Sequence, residues 1–329
     1  MGVPLDSRAD PAEAGLLAAA RAGDERAFAQ LTSPYRRELQ VHCYRMLSSL
    51  DDAEDLVQET MLRAWRRLGA FEGRTSLRRW LYAIATNACL NKLEREPRVL
   101  LFPTGGEADP PPLARVSWLE PYPDSLLPDV AAGDPQARLD LRESVALAFL
   151  AAIQHLPPRQ RAMLLLFDVL GWSAAEIAEL LETSVAAVNS GLQRARATLE
   201  SRPAPRPTED EERVLLERFV EAWERVDIDG LVELLREDAV LAMPPQPMWF
   251  VGRKAVGEFF ATVPAEGDLT RITLVPTRAN LRPTFAAYLD GEAYGIMVFE
   301  LADGRISEIV GFAEAATSFD RLELPERLP

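Results

Sequence analysis

Cysteine and histidine are scarce in this chain, at 2 residues each among 329. Cys43 and Cys89 are too few and too far apart for a disulfide framework or a thiolate zinc site, and His42 and His155 are too few for a histidine metal centre. No metal or cofactor is expected, and the two thiols are expected to be free and buried in a reducing cytoplasm. Nowhere do eighteen apolar residues follow one another, and the first residues hold no apolar stretch of signal length behind a basic start, so neither membrane spanning nor secretion is expected.

Positive charge is short as well: 36 Lys and Arg face 51 Asp and Glu, for a net charge of −15. Taken whole, such a chain repels nucleic acid. The acidity is local, however. Residues 208–329 carry 12 basic against 24 acidic side chains, whereas residues 1–207 carry 24 against 27. Within the latter, Arg74, Arg78, Arg79, Lys92, Arg95 and Arg98 outnumber Glu94 and Glu96, which leaves room for a DNA-binding face.

Proline is plentiful, at 25 residues. Its clusters at 97–137 and 202–208 stop any helix. The breaks predict a helical block over 16–96, a Pro-rich linker over 97–137, a second helical block over 138–201 and a final block over 209–329. In the first block, Ala53, Leu56, Val57, Met61, Ala64, Trp65 and Leu68 line one face of a helix, with acids on its early turns and arginines on its late ones. This reads as a solvated amphipathic helix or as a docking helix for a protein. Ser76 then caps a helix from Leu77 to about Glu94, which is expected to turn Leu77, Trp80, Leu81, Ile84 and Ala88 inward and Arg78, Arg79, Tyr82, Thr86, Asn87 and Lys92 outward.

The second block reads Leu156-Pro-Pro-Arg-Gln-Arg161, a helix, then Gly171-Trp172-Ser173 with Glu176 completing a capping box. A short turn at Glu182-Thr183-Ser184 leads to a second helix over Val185–Leu199. This is helix-turn-helix spacing, with Asn189, Ser190, Gln193 and Arg194 among the outward residues suited to base edges and phosphates.

Several runs together resemble the extracytoplasmic-function class of bacterial RNA polymerase sigma factors. They are Asp52-Ala-Glu-Asp-Leu-Val-Gln-Glu59, Phe71-Glu-Gly-Arg-Thr-Ser-Leu-Arg-Arg-Trp80 with Asn87, Leu156-Pro-Pro-Arg-Gln-Arg161 and Gly171-Trp-Ser-Ala-Ala-Glu-Ile177. The likeness covers about residues 20–96 and 138–201. With Trp118-Leu-Glu-Pro-Tyr-Pro123 in the linker, the last block looks like the fused C-terminal domain, SnoaL-like or NTF2-like, of one subgroup. The resemblance implies a multidomain chain of two all-α modules, the second a helix-turn-helix, and an α+β cone. It implies docking of Asp55, Gln58 and Glu59 on the beta-prime coiled coil of core polymerase. It also implies capture of the minus-ten element by Phe71, Gly73, Arg74, Thr75, Ser76, Trp80 and Asn87, and of the minus-thirty-five element by Asn189, Ser190, Gln193 and Arg194. A separate anti-sigma protein is a further partner in that family. Asn189 and Gly191 stand where many members carry cations, and a helical glycine costs about 1 kcal/mol.

The final block predicts a long helix over Arg213–Val226, a short one over Gly230–Leu235, a third over Gly252–Phe260 and a curved sheet. It lacks histidine, and Asp238, Asp290 and Glu314 are its only shortlisted carboxylates, so an enzyme is not expected. Met243, Trp249, Phe250, Phe259, Tyr288 and Tyr294 line a ligand pocket in one reading and form plain core in the other. The tail from Phe319 reads as a strap, and it or the linker is expected to touch the helical modules. Two competing functions stay open: a one-component regulator sensing a ligand, and a cyclase-type enzyme.

Overall fold

Among the described residues a short polar side chain stands at the start of seven helices, taking a backbone N–H that the helix itself leaves unpaired. The computed structural model describes residues 11–100, 111–128, 135–199, 208–313 and 316–329. Its helices are α1 (Pro11–Arg21), α2 (Glu25–Thr32), α3 (Arg36–Leu47), α4 (Leu50–Arg67), α5 (Leu77–Arg95), α6 (Pro135–Ser144) and α7 (Leu147–Gln154). They continue with α8 (Pro158–Leu164), α9 (Ala174–Leu180), α10 (Val185–Thr198), α11 (Glu209–Glu224), α12 (Ile228–Leu234), α13 (Arg253–Thr262) and α14 (Ala316–Arg321). Asp24, Ser49, Ser76 and Ser184 cap α2, α4, α5 and α10. Ser173 with Glu176, and Thr208 with Glu211, build complete capping boxes that open α9 and α11.

The chain divides into two compact units. One contains the residues up to Val99 together with Leu127–Ser144 and Leu156–Glu200; the other takes Leu100–Leu126, Val145–His155 and the chain from Ser201 on. In the first unit α3, α4 and α5 bury Leu39, Cys43, Met46, Leu56, Leu81, Ala85 and Cys89, while α8, α9 and α10 bury Ala162, Ile177, Val188 and Leu192. Both cysteines are free, and burial pushes the Cys89 thiol up.

The second unit is built on a sheet in the order β2-β1-β6-β5-β4-β3. The strands are β1 (Leu235–Ala242), β2 (Trp249–Val251), β3 (Ile272–Ala279), β4 (Arg282–Leu289), β5 (Glu292–Ala302) and β6 (Arg305–Ala313). β1 and β6 run parallel, and the other neighbours are antiparallel. Two-residue turns at Asn280-Leu281, Asp290-Gly291 and Asp303-Gly304 all have positive φ, the geometry that matches strand twist. α11, α12 and α13 cover one face of the sheet. Phe219 meets Phe299 at 5.0 Å and Trp223 meets Phe260 at 5.5 Å between ring centroids. Each such buried ring contributes roughly 1.5–3 kcal/mol.

Of the two segments expected to touch the helical modules, the linker stretch does so, since Arg37 donates to Leu127 O at 3.5 Å and Arg98 pairs with Asp52, while the tail packs on its own domain. Tyr288 meets Phe319 at 5.2 Å and donates to the Pro325 carbonyl at 2.9 Å, Ala293 N–H donates to Glu326 O, and Leu328 N–H donates to Gly291 O. The strap thus closes on the β4–β5 hairpin of its own domain, where the turn leaves backbone groups to pair. The stretch read as a linker has buried Val116, Leu119 and Tyr122, and Pro123 bridges Ala279 at the end of β3. Its part Leu100–Leu126, together with α7, belongs to the unit that carries the sheet, whereas the residues from Leu127 on belong to the helical unit.

Candidate nucleic-acid interface

On α4, Asp55 and Gln58 are exposed, as is 56% of Leu62 one turn further on. Glu59 is half-buried and holds Arg63 at 2.6 Å. The acids are not interchangeable: Asp52 is turned inward, where it holds Lys92 at 3.0 Å and also pairs with Arg98. The outer face of α4 therefore offers a carboxylate, an amide and an apolar side chain together, a surface suited to a protein partner.

Between α4 and α5 the loop exposes Gly73, Arg74, Thr75 and Ser76. Gly73 has φ +73°, which favours glycine, and Arg74 pairs with Glu72 at 2.5 Å. Phe71 is buried against Trp80, with ring centroids 5.0 Å apart, so Trp80 is the more accessible of the two rings. Asn87 is exposed two turns further along α5, on the same face as Trp80. Two side chains expected outward on α5 are inward instead. Tyr82 is buried, with its hydroxyl 3.2 Å from Glu38, and Thr86 is buried at 2.8 Å from His42 Nε2. The cause is that α5 packs on both α3 and α4, so its buried arc is wider than an apolar stripe reveals. Burial, followed by the charges of Arg45 and Arg78, lowers the His42 pKa to about 3, so this imidazole is neutral.

On α10, Asn189, Ser190, Gln193 and Arg194 are all exposed and share one face. Arg196, two residues beyond Arg194, is held by Asp168, with Nε at 3.3 Å, and lies over Phe167. Gly191 is buried, and a β-carbon there would stand 2.5 Å from Met163 Sδ on α8. The glycine that looked like a missing contact is what lets α8 approach α10.

The two helical modules meet within their unit. Arg161 of α8 donates to the Met46 carbonyl at the end of α3 and to Leu156 O at 3.2 Å. Burial, then the charge of Arg98, brings its pKa down to about 9. Arg45 donates to Ser144 Oγ at 2.6 Å. Arg79 of α5 pairs with Glu176 of α9, and its guanidinium lies 5.9 Å from the centre of the Trp172 ring.

In the second unit one face of the sheet and the helices on it form a half-open apolar pocket of about 70 Å³. Met243, Phe259 and Tyr294 line it, joined by Trp223, Phe260 and Met297, which had not been foreseen. Trp249 and Phe250 sit on the edge strand β2 outside that lining, where Phe250 packs 4.9 Å from Phe259. Tyr288 faces the other way: Ala287 points into the cavity, so the next residue along the strand meets Phe319 on the opposite face. Neither shortlisted carboxylate with a described position enters the cavity, since Asp238 binds Arg236 at 2.8 Å and Asp290 binds Arg271 at 3.2 Å. Glu314 lies outside the described residues. Among the described residues no His, Cys, Asp or Glu cluster could hold a metal ion, and no helix is long and apolar enough to cross a membrane.

Sequence reasoning passed over Asn280 altogether. It is fully buried at the β3–β4 turn, and its side chain reaches both the 111–128 segment and the residue before α7: Oδ1 accepts from Tyr122 N–H at 2.9 Å and Nδ2 donates to Val145 O at 2.7 Å. Asp124 accepts the Leu281 N–H at 2.7 Å beside it. The Asn itself, a residue type that favours left-handed turn positions, was the available signal.

Comparison with known proteins matches three family models: Sigma-70 region 2 over residues 31–99, Sigma-70 region 4 over 146–199 and the SnoaL-like domain over 216–309. The chain is 46% identical over 328 residues to the ECF RNA polymerase sigma factor SigG of Mycobacterium tuberculosis, covering 94% of this chain and 86% of that one. It is 32% identical over 197 residues to SigM of the same species, covering 60% of this chain and 87% of the relative. The crystal structure of the M. tuberculosis extracytoplasmic function sigma factor SigJ shares the fold, with a TM-score of 0.60 at 22% identity over 91% of this chain and 99% of that one.

Proposed function

Since this chain belongs to the extracytoplasmic-function RNA polymerase sigma factors and carries a SnoaL-like C-terminal domain, we propose that it directs core polymerase to a promoter set through the surfaces described above. Segment 16–96 binds core and the minus-ten element, 138–201 binds the minus-thirty-five element, 97–137 connects them and 209–329 modulates both. Asp55, Gln58 and Glu59 dock on the beta-prime coiled coil. Gly73, Arg74, Thr75, Ser76 and Asn87 meet the minus-ten strand, with Trp80 as the stacking ring and Phe71 as its support. Asn189, Ser190, Gln193 and Arg194 read the upstream element in the major groove. The protein works in the cytoplasm, where polymerase and DNA are.

The observation that carries this reading is the exposure of Asn189, Ser190, Gln193 and Arg194 on one face of α10 while the acid-amide face of α4 is also open. The C-terminal domain acts by holding the chain and not by catalysis: its cavity is walled by apolar side chains, whereas Asn280 ties the domain to Tyr122 and Val145, on either side of residues 127–144. Run-off transcription with bacterial core polymerase on promoters selected from genomic fragments tests it, comparing the full chain with one ending at Arg206. Specific transcripts are expected from the full chain, with altered yield after truncation. DNA binding without specific transcripts would favour the one-component regulator.

A further inference from the structure

Arg79 sits on the first turn of α5, between the cap Ser76 and the ring of Trp80, yet its guanidinium is engaged by the other helical module. Glu176 supplies the anion. One of its oxygens accepts the N–H and the hydroxyl of Ser173, each at 2.8 Å, and the other takes Arg79. Trp172 supplies a ring 5.9 Å from the guanidinium. A carboxylate on the fork and an aromatic ring near the plane are the two groups a guanidinium meets on a nucleic-acid strand, as phosphate and base.

We propose that Arg79 is a phosphate contact to promoter DNA, and that Glu176 and Trp172 occupy it while the two helical modules are closed on each other. The assignment rests on the reading of α5 as the minus-ten helix. The two states exclude each other because a phosphate arriving at Arg79 would lie against the Glu176 carboxylate, and like charges at contact repel. The seam contacts of Arg161 and Arg45 described above do not compete with DNA in this way: they go to backbone carbonyls and a hydroxyl, and both side chains are buried. Only part of the Arg79–Glu176 pair is shielded, with 43% and 32% of the two side chains exposed. A pair so placed is weak and screened by salt, as a contact that DNA displaces needs to be.

Glu176→Gln tests this in the full chain. Glutamine keeps an acceptor for the α9 cap but loses the charge. Module separation is read by energy transfer between dyes on Arg67→Cys and Ala186→Cys, both at exposed positions, with Cys43 and Cys89 buried away from the label. DNA affinity is read separately, by anisotropy of a fluorescein-labelled single-stranded DNA of mixed sequence. Glu176→Gln is expected to open the modules and to tighten DNA binding by about two- to five-fold. Arg79→Ala is expected to open them equally and to weaken DNA binding. Ser173→Ala, which damages the cap and spares the pair, is expected to leave the separation unchanged. Wild-type separation in Glu176→Gln, the same opening in Ser173→Ala, or undiminished DNA affinity in Arg79→Ala would overturn the proposal. Failure of the sigma reading would show elsewhere, as absent run-off transcripts from every form.

Discussion

Asn280 holds Tyr122 at both ends of its backbone: Oδ1 of Asn280 accepts the Tyr122 N–H at 2.9 Å, and the Asn280 N–H donates to the Tyr122 carbonyl at 2.7 Å. With the third bond, from Nδ2 to Val145 O, one turn residue binds two segments that flank residues 127–144. Asparagine is suited to the place, since it tolerates the φ of +56° found there and carries both a donor and an acceptor.

Replacing Asn280 by Ala should remove both side-chain bonds and leave buried backbone groups of Tyr122 and Val145 short of a partner, at a cost of about 1–3 kcal/mol for each. Amide hydrogen exchange is expected to accelerate at residues 118–126 and 145–150. Asn280→Gly, which accepts the backbone angle more readily, should show the same loss of protection. If glycine restored protection, backbone strain and not the side-chain bonds would be the cause.

The glycine at which α10 meets α8 sets helix propensity against packing on Met163. Gly191→Ala gains about 1 kcal/mol of helix propensity, but its β-carbon meets the buried Met163 sulfur at 2.5 Å, and overpacking costs typically 1–3 kcal/mol. The atoms met are the flexible end of a methionine, which can swing aside, so the cost falls at the low end and the two effects nearly cancel: chemical denaturation is expected to show a net change of about 1 kcal/mol or less. Adding Met163→Ala should make the double substitution less damaging than the sum of the two.

The two units should respond to pH in opposite senses. His42 has its pKa depressed to about 3 in the fold, against about 6.5 when exposed. The unfolded chain therefore binds the extra proton, and the helical unit loses stability as pH falls from about 6.5 toward 3. Glu308 is raised to about 7, chiefly by burial and then by Glu300, so the sheet unit loses stability as pH rises from about 4.5 to 7, by at most about 3 kcal/mol. Calorimetry across this range is the measurement. His42→Gln should flatten the first dependence and Glu308→Gln the second.

On α4, two neighbouring acids should separate function from stability. Asp55→Ala combined with Gln58→Ala touches exposed side chains and should leave the unfolding midpoint within about 0.5 kcal/mol of the parent, while core polymerase binding and run-off transcription fall at least about tenfold. Asp52→Ala should do the reverse and destabilise, because it leaves Lys92 and Arg98 without their shared anion. Unchanged core binding in the double variant would remove α4 from the polymerase interface.

The places where helices start were legible because capping is local: Ser76 and the Ser173–Glu176 box announce themselves within four residues. The Asp290-Gly291 and Asp303-Gly304 turns were equally readable as hairpin signals. The outward set of α10 was also visible, since α10 leaves a whole face in solvent. The inner side of α5 was not, because Tyr82 and Thr86 are polar and find their partners, Glu38 and His42, on α3 far back in the chain.

By itself the sequence determined what depends on neighbours along the chain: the helices, their caps, the helix-turn-helix and the family motifs. Tertiary structure alone decided which side chains are spent. It turned Asp52 inward and left Asp55 free on the surface, sent Tyr288 to the face opposite Ala287, gave Gly191 its purpose in Met163, and set Arg79 against Glu176. The physical reason is that burial and pairing are set by contacts between residues far apart in the chain, and no spacing along one helix or strand encodes the partner that comes to meet it.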